Sequence, residues 1–246
     1  MSHKYPFLEI LSHLGADADQ VVLVGGWVPT VYFDYVWPSS YPLVTKDIDF
    51  GVPRAAVLER PLETYLPQGA FRHRHLKLGK VRPYQLIYKD YPIDFLADEA
   101  AVATVREKVL GYNVLINSNR NYSYVLADSM QTVCDGIPVR VPHPARYITH
   151  KVQIYLHSYK DRFRDLASAY YCLTKEPIQG LLQEYAPRII DSEAVQDIRK
   201  LLPTLMQTKE GLAIQDVQKT FAQFAYYEEA EDILGVLKWL VRLLKA

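Results

Sequence analysis

The stretch Thr45-Lys46-Asp47-Ile48-Asp49-Phe50 decides how the rest of the chain is interpreted. Its alternation of acidic and apolar residues is typical of a β-strand with one buried face, and we predict a strand from Lys46 to Val52. Side chains at i and i+2 of a strand point to the same side, so Asp47 and Asp49 face a cleft while the apolar residues face the core. Two carboxylates this close repel each other unless a cation lies between them, and hard oxygen ligands favour Mg²⁺.

Two other short stretches complete the pattern. Val21 to Val24 is a buried strand by composition, and Gly25-Gly26 ends it before a predicted helix from Trp27 to Val36. A glycine pair at the start of a helix lets backbone N–H groups approach a phosphate closely. Asp94, with an apolar residue on each side, lies on a later predicted strand. A third carboxylate on a neighbouring strand would complete a cluster able to hold two metal ions.

In this order, the three stretches resemble the nucleotidyltransferase superfamily, whose fold is shared with polymerase beta. Taken singly, an Asp-x-Asp run is usually a solvated strand face and a Gly-Gly pair is usually only a turn, so the resemblance depends on their order. It covers about residues 20 to 100 and is closest to the branch of abortive-infection toxin-like nucleotidyltransferases and their uncharacterised relatives. It implies a Mg-dependent enzyme that moves a nucleoside monophosphate from an NTP to an acceptor hydroxyl and releases pyrophosphate.

A second stretch is similar to the same branch. There, a strand leads to a helix with a lysine, and a basic-Asp-x-x-Asp-Leu run then closes over the nucleotide. Here a predicted strand, Ile137 to Val141, precedes a helix that begins at Pro144 and bears Lys151. The acids that follow, Asp161 and Asp165, are four residues apart instead of three, so either of them can be the matching residue. Their i, i+4 spacing puts both on one helix face, where they would otherwise form surface ion pairs.

The resemblance implies a role for each matching residue. The implied catalytic and metal-binding residues are Asp47, Asp49 and Asp94, holding two Mg²⁺ ions, with Mn²⁺ as the alternative ion. Asp94 would bind the catalytic ion and help deprotonate the acceptor. The implied nucleotide-binding residues are Gly25, Gly26, Lys46, Lys151, Asp161 and Asp165.

The expected fold class is α+β: a nucleotidyltransferase core, a mixed β-sheet flanked by helices, followed by an all-α domain. We predict the catalytic domain at residues 1–145 and the helical domain at 146–246, because Pro- and Gly-poor helical periodicity dominates after Pro144. The stretch from Trp37 to Leu43 is expected to be a loop inserted between helix and strand, beside the cleft. The basic segment from Phe71 to Arg82 is expected either to steer a triphosphate or an RNA end, or to be an exposed hairpin.

Composition limits the other function classes. The 246 residues carry 28 basic and 28 acidic side chains, which argues against a protein that coats long nucleic acids nonspecifically. Two distant cysteines exclude a disulfide scaffold or a zinc cluster. Since no signal core and no apolar run of bilayer length is present, we expect a cytoplasmic protein without a membrane partner.

Three functional questions stay open at this point. The acceptor is an RNA 3′ end, a protein or a small molecule. One alternative is a toxin that modifies tRNA or protein and has an antitoxin as its partner. The other is a catalytically silent module that binds nucleotides, although the three intact carboxylates argue against it.

Overall fold

The computed structural model describes residues 4–43, 45–60, 64–65, 71–75, 84–105, 115–119, 122–157 and 163–245. The chain divides into two compact units. The first comprises Met1–Ser39 and Val44–Pro142, and the second comprises Ser40–Leu43 and His143–Ala246. The fold is α+β, with a mixed sheet flanked by helices in the first unit and helices in the second.

The first unit contains both strands and helices. Its helices are α1 Pro6–Leu14, α2 Val28–Val31, α3 Val102–Val105 and α4 Tyr122–Leu126. Its strands are β1 Val22–Val24, β2 Ile48–Gly51, β3 Phe71–His75, β4 Tyr84–Tyr88, β5 Tyr91–Asp98, β6 Ile116–Asn119, β7 Met130–Cys134 and β8 Ile137–Val141. The predicted helix after the glycine pair is a 3₁₀ turn, Gly25–Trp27, followed by α2 and a π-helical turn, Tyr32–Val36.

Six strands form the main sheet, in the order β1-β2-β5-β4-β3, with β6 beside the second half of β5. Strand β2 runs parallel to β5, whereas β1 and β4 run antiparallel to their neighbours β2 and β5. The sequence also predicts a hairpin that breaks near Lys89-Asp90-Tyr91, with Gln85 to Tyr88 paired with Ile93 to Leu96. The hairpin is confirmed, with its turn at Lys89–Asp90 and positive φ at both residues, but the predicted register is wrong, since Leu86 pairs with Ile93 and Tyr88 with Tyr91. The later residues of β5, from Phe95 to Asp98, pair with β6 on the edge that β4 has left, and β2 pairs along the opposite edge of β5.

The two faces of the sheet have different cover. One face carries the large buried side chains of the strands, and the rings of Phe50 and Phe95 stack there with centroids 6.2 Å apart. On the other face, α4 packs on the strand ends in an apolar cluster formed by Val22, Val24, Leu96, Val125 and Leu126. A Cβ at Gly51 would lie 2.3 Å from Leu126 Cδ2, so any larger residue here would require the Leu126 side chain to move. The remainder of that second face carries polar side chains of β2 to β5.

The second unit is helical, and its helices are α5 Pro144–His157, α6 Phe163–Leu173, α7 Glu176–Ile189, α8 Glu193–Leu205, α9 Leu212–Ala222 and α10 Ala230–Leu243. Helix α5 packs against α6, α7 and α8. The sequence predicts two long helical stretches, near Ile178 to Leu205 and near Ile214 to Leu244, and each of them is a pair of helices in the structure. Ser192 breaks the first, since its hydroxyl caps the start of α8. Over the described ranges, every helix is too short or too polar to cross a bilayer.

The stretch Ser40–Leu43, predicted as part of an inserted loop, belongs to the helical unit. The Tyr41 hydroxyl lies 3.0 Å from Ser168 Oγ of α6, and the Tyr41 ring meets Tyr171 edge-on at 5.4 Å. The Tyr171 hydroxyl donates a hydrogen bond to the backbone carbonyl of Ser40. Aromatic contacts and hydroxyl hydrogen bonds therefore fasten this stretch to α6.

Candidate carboxylate site

A line of polar side chains crosses the sheet on the face that α4 partly covers. The β2–β5 register puts Asp49 beside Asp94, and the β3–β4 register puts Arg74 beside Gln85. Extending the β4–β5 register by one residue sets Gln85 beside Asp94. Cross-strand neighbours project to the same face of a sheet. Arg74, Gln85, Asp94 and Asp49 thus form one row across four strands, which we call the polar row.

Asp49 and Asp94 are neighbours of like charge, and both are half-buried. Burial raises the pKa of Asp94 above its ordinary value of 3.8, and the negative charge of Asp47 adds to the rise. A hydrogen bond from Gln85 and the positive charge of Arg74 act in the opposite direction on this pKa. Of the other two sequence-predicted carboxylates, Asp47 therefore contributes to the raised pKa of Asp94.

Asp47 lies just outside the strand, because β2 begins at Ile48 and not at Lys46 as predicted. The expected alternation is nevertheless confirmed: Ile48 and Phe50 are buried, whereas Asp47 is exposed and Asp49 is half-buried. Lys46, the predicted nucleotide contact, is exposed beside Asp47. Lys46 and Asp47 are therefore exposed just before the strand, and Asp49 is half-buried within it.

The glycine turn packs directly against the acidic strand. Val24, the last residue of β1, is the register partner of Asp49, and Gly25 follows with a φ of +70°. A Cβ at Gly25 would lie 1.8 Å from Asp49 Oδ2, and a Cβ at Gly26 would lie 2.7 Å from Thr45 Cβ. No side chain fits at either position, and φ at Gly25 is in the region that favours glycine. The glycine pair is required here because it lets the backbone reach the Asp49 carboxylate.

The donor atoms suit a hard divalent cation, since carboxylate oxygens are what Mg²⁺ and Mn²⁺ prefer. Asp49 and Asp94 would hold such an ion from neighbouring strands, with Asp47 next to them in sequence. In the described part of the chain, no three His, Cys, Asp or Glu side chains are arranged as a metal-binding group. Like-charged carboxylates repel one another when no cation lies between them.

Two of the other predicted residues meet in the second unit. Lys151 of α5 and Asp165 of α6 form an ion pair, with side chains only 12% and 9% exposed. This is a buried pair between helices, unlike the surface pair along one helix that the sequence left as an alternative. The Lys151 ammonium also lies 5.8 Å from the centre of the Tyr147 ring. Asp161 lies outside the described residues.

Sequence reasoning missed Gln85 and the particular contact of Arg74. Arg74 donates to Gln85 Oε1, and Gln85 Nε2 donates to Asp94 Oδ1 over 2.5 Å. Gln85 is only 6% exposed. The signal in the sequence was Gln85 itself, a polar residue in an otherwise apolar strand that precedes the strand of Asp94. Only the register of the hairpin shows which carboxylate accepts its hydrogen bond.

Comparison of the chain with protein-family models, with curated proteins and with solved structures finds no match in any of the three.

Proposed function

We propose that the chain is a Mg-dependent nucleotidyltransferase that moves a nucleoside monophosphate from an NTP to an acceptor hydroxyl. The observation that carries the proposal is the pairing of Asp49 with Asp94 on neighbouring parallel strands, with Gly25 packed against the Asp49 carboxylate. Two half-buried like charges side by side cost stability, so their presence favours a catalytic role over a structural one.

The order of the elements supports the same proposal. A strand, a glycine turn, a helical segment, an acidic strand and a second acidic strand follow one another as the nucleotidyltransferase resemblance requires. In the sheet, β1 and β5 flank β2, so the glycine turn and both acidic strands are adjacent in space as well. A chance Asp-x-Asp run on a solvated strand would have no reason to meet a third carboxylate and a glycine turn.

The proposed reaction is a substitution at the α-phosphorus of the NTP. The acceptor oxygen forms a bond to this phosphorus, the bond to the bridging oxygen breaks, and pyrophosphate leaves with the bonding electrons. The acceptor proton passes to the carboxylate of Asp94, whose raised pKa favours proton acceptance over that of an ordinary aspartate. Bound Mg²⁺ would neutralise negative charge on the phosphate oxygens.

The other residues would bind and orient the nucleotide. Asp47 and Asp49 would hold the cations, and the backbone at Gly25 and Gly26 would approach the β- and γ-phosphates closely because no side chain intervenes. Lys151 and Asp165 are nucleotide-binding candidates by resemblance. Since Lys151 already pairs with Asp165, a phosphate would have to share the ammonium with that carboxylate.

The decisive experiment is label transfer. The wild-type chain, Mg²⁺ and each α-labelled NTP are incubated with a whole-cell extract, and the macromolecule or metabolite that becomes labelled is identified. The label should appear together with released pyrophosphate. Asp49→Asn should lower the rate about 1,000-fold, because losing several kcal/mol of charge stabilisation costs roughly a decade per 1.4 kcal/mol.

The matched control is Asp90→Asn, which removes an exposed carboxylate from the β4–β5 turn of the same sheet. It should label its acceptor like the wild type, and both variants should retain the wild-type thermal midpoint. A folded Asp49→Asn chain with normal turnover would refute the proposal. Nucleotide binding without pyrophosphate release in the wild type would instead identify a catalytically silent binding module.

A further inference from the structure

Two successive hydrogen bonds at one end of the polar row terminate on Asp94. The Arg74 guanidinium donates to the amide oxygen of Gln85, and the amide nitrogen of Gln85 donates to Asp94 Oδ1 over 2.5 Å. Gln85 is almost fully buried, whereas Arg74 reaches solvent. An exposed cation is thus connected to the candidate catalytic carboxylate through a neutral, buried amide.

The chemistry of the two ends fixes the orientation of the Gln85 amide. A guanidinium has only donors, and an ionised carboxylate has only acceptors. The amide must therefore turn its oxygen towards Arg74 and its NH₂ group towards Asp94. The reverse orientation would place donor against donor at one end and lone pair against lone pair at the other.

This arrangement determines how Asp94 can act. The hydrogen bond to Oδ1 restricts rotation of the carboxylate and leaves Oδ2 to face a cation or an acceptor proton. A direct arginine contact would also fix the carboxylate, but its full positive charge would compete with a divalent cation for the same oxygens. The amide of Gln85 fixes the orientation of the Asp94 carboxylate, and the charge of Arg74 does not contact that carboxylate directly.

We propose that Gln85 is a positioning residue of this site and that Arg74 acts through it by setting its amide orientation. The inference goes beyond the proposed function but rests on it, because the role assigned to Asp94 comes from there. It also explains why a buried glutamine is tolerated in an otherwise apolar stretch of β4, since both ends of its amide are satisfied.

The test removes the fixed orientation without touching Asp94 or Gln85. In Arg74→Glu, both neighbours of the amide are acceptors, so the NH₂ group of Gln85 is no longer held towards Asp94 alone. Arg72→Glu is the matched control, because Arg72 lies two residues away on the same strand face and changes the charge equally. Arg74→Lys keeps a donor and should behave like the wild type.

The first readout is the binding of Mn²⁺ alone, measured by titration calorimetry on the full chain at equal thermal stability. Arg74→Glu should bind Mn²⁺ about tenfold more weakly than Arg72→Glu, the scale typical for losing a residue that orients a metal ligand. A pure charge effect would change both variants equally. If the wild type binds Mn²⁺ and the two variants bind it equally well, the positioning role of Gln85 is wrong but the proposed function is not. If the wild type does not bind Mn²⁺, both the proposed function and the role of Gln85 are wrong.

The second readout needs no metal. In side-chain amide NMR spectra, the Gln85 NH₂ group should exchange slowly with solvent in the wild type and in Arg72→Glu, and its signal should move when Asp94 is changed to Asn. In Arg74→Glu, that signal should respond less to Asp94→Asn, because the NH₂ group is then shared between two acceptors. A response to Asp94→Asn that is the same in both Arg variants would overturn the inference.

Discussion

The two units each hold a pair of charged residues, and the two pairs are opposite in kind. In the sheet, Asp49 and Asp94 are half-buried carboxylates of like charge on adjacent strands. In the helical unit, Lys151 and Asp165 are a more deeply buried pair of opposite charge. Like charges on neighbouring strands repel each other, whereas each member of the second pair neutralises the other.

The difference helps to separate functional from structural charges. An ion pair that is internally satisfied needs no ligand, and removing one partner strands the other in a low-dielectric environment. A like-charged pair gains from any cation that arrives, so it is a natural place for metal-dependent chemistry. On this reasoning, the polar row is the stronger candidate for a reactive site, and the ion pair of α5 and α6 is first of all a structural contact.

The largest effect is expected from breaking the ion pair. Lys151→Met should lower the free energy of unfolding by about 3–5 kcal/mol, because it removes the ammonium that neutralises the buried Asp165 carboxylate. Urea denaturation measures this loss. The double variant Lys151→Met/Asp165→Leu should regain most of it, and Lys209→Met, which breaks the exposed pair with Glu231, should change little.

The double variant also tests the nucleotide-binding role implied by resemblance. A stable double variant that binds NTP as tightly as the wild type would leave Lys151 and Asp165 as structural residues only. Loss of NTP binding at restored stability would show that Lys151 and Asp165 have both a structural and a nucleotide-binding role. The distinction between a reactive pair in the sheet and a structural pair in the helices would then be wrong.

An intermediate effect is expected at the glycine turn. Gly25→Ala should lower the free energy of unfolding by more than the ~1–2 kcal/mol of a left-handed alanine, since its Cβ would also collide with Asp49. Gly136→Ala is the control, because Gly136 has a φ of +82° but no atom within 4 Å of the added Cβ. Denaturation measures the stability of each variant, and label transfer should be lost only in Gly25→Ala. If both variants lose the same stability and the same activity, the turn at Gly25 has no particular role at the candidate site.

The smallest effect concerns the cost of the like-charged pair. Burial and Asp47 raise the pKa of Asp94, so its ionised form is the unfavourable one in the folded chain. Protonated Asp94 therefore contributes to the free energy of unfolding. This contribution is fully present below pH 3.8, the ordinary pKa, and is lost as the pH rises through the pKa that Asp94 has in the folded chain. At pH 7, Asp94→Asn should therefore raise the free energy of unfolding by about 0.2–1 kcal/mol, the usual scale of a cross-strand pair.

This gain should shrink as the pH falls through the folded pKa of Asp94 and should disappear below 3.8, where Asp94 is protonated in both the folded and the unfolded state. Denaturation curves at several pH values would measure it, with Asp90→Asn as the comparison. A gain that is independent of pH, or a loss of stability at pH 7, would mean that the carboxylate of Asp94 is stabilising and that the contrast between the pairs is mistaken.

Much of the fold was predictable because the spacing of hydrophobic residues indicates which segments form strands and which form helices. The burial of Ile48 and Phe50 between the acids, the strand Ile137–Val141 and the helical nature of the second half all follow from spacing alone. The breaks inside the long helical stretches were missed, since periodicity continues across a short turn and a cap such as Ser192 resembles any other polar residue.

The site was predictable in its residues but less so in its arrangement. The three carboxylates and the glycine pair stand out by their order, but the pairing of Asp49 with Asp94 depends on register. Register in turn depends on the tight turn at Lys89–Asp90, whose residues give no strong signal for that turn type. For the same reason, neither Gln85 nor its contact with Arg74 could be assigned in advance.

The placement of Ser40–Leu43 has a consequence for how this molecule can be divided. Because these residues belong to the helical unit, the peptide chain passes between the units three times: at 39/40, 43/44 and 142/143. A fragment that stops at residue 142 would retain Tyr41 but lose Ser168 and Tyr171, its hydrogen-bonding and aromatic partners. A single recombination point therefore cannot exchange the helical half between related genes intact, and the two units are expected to be inherited together.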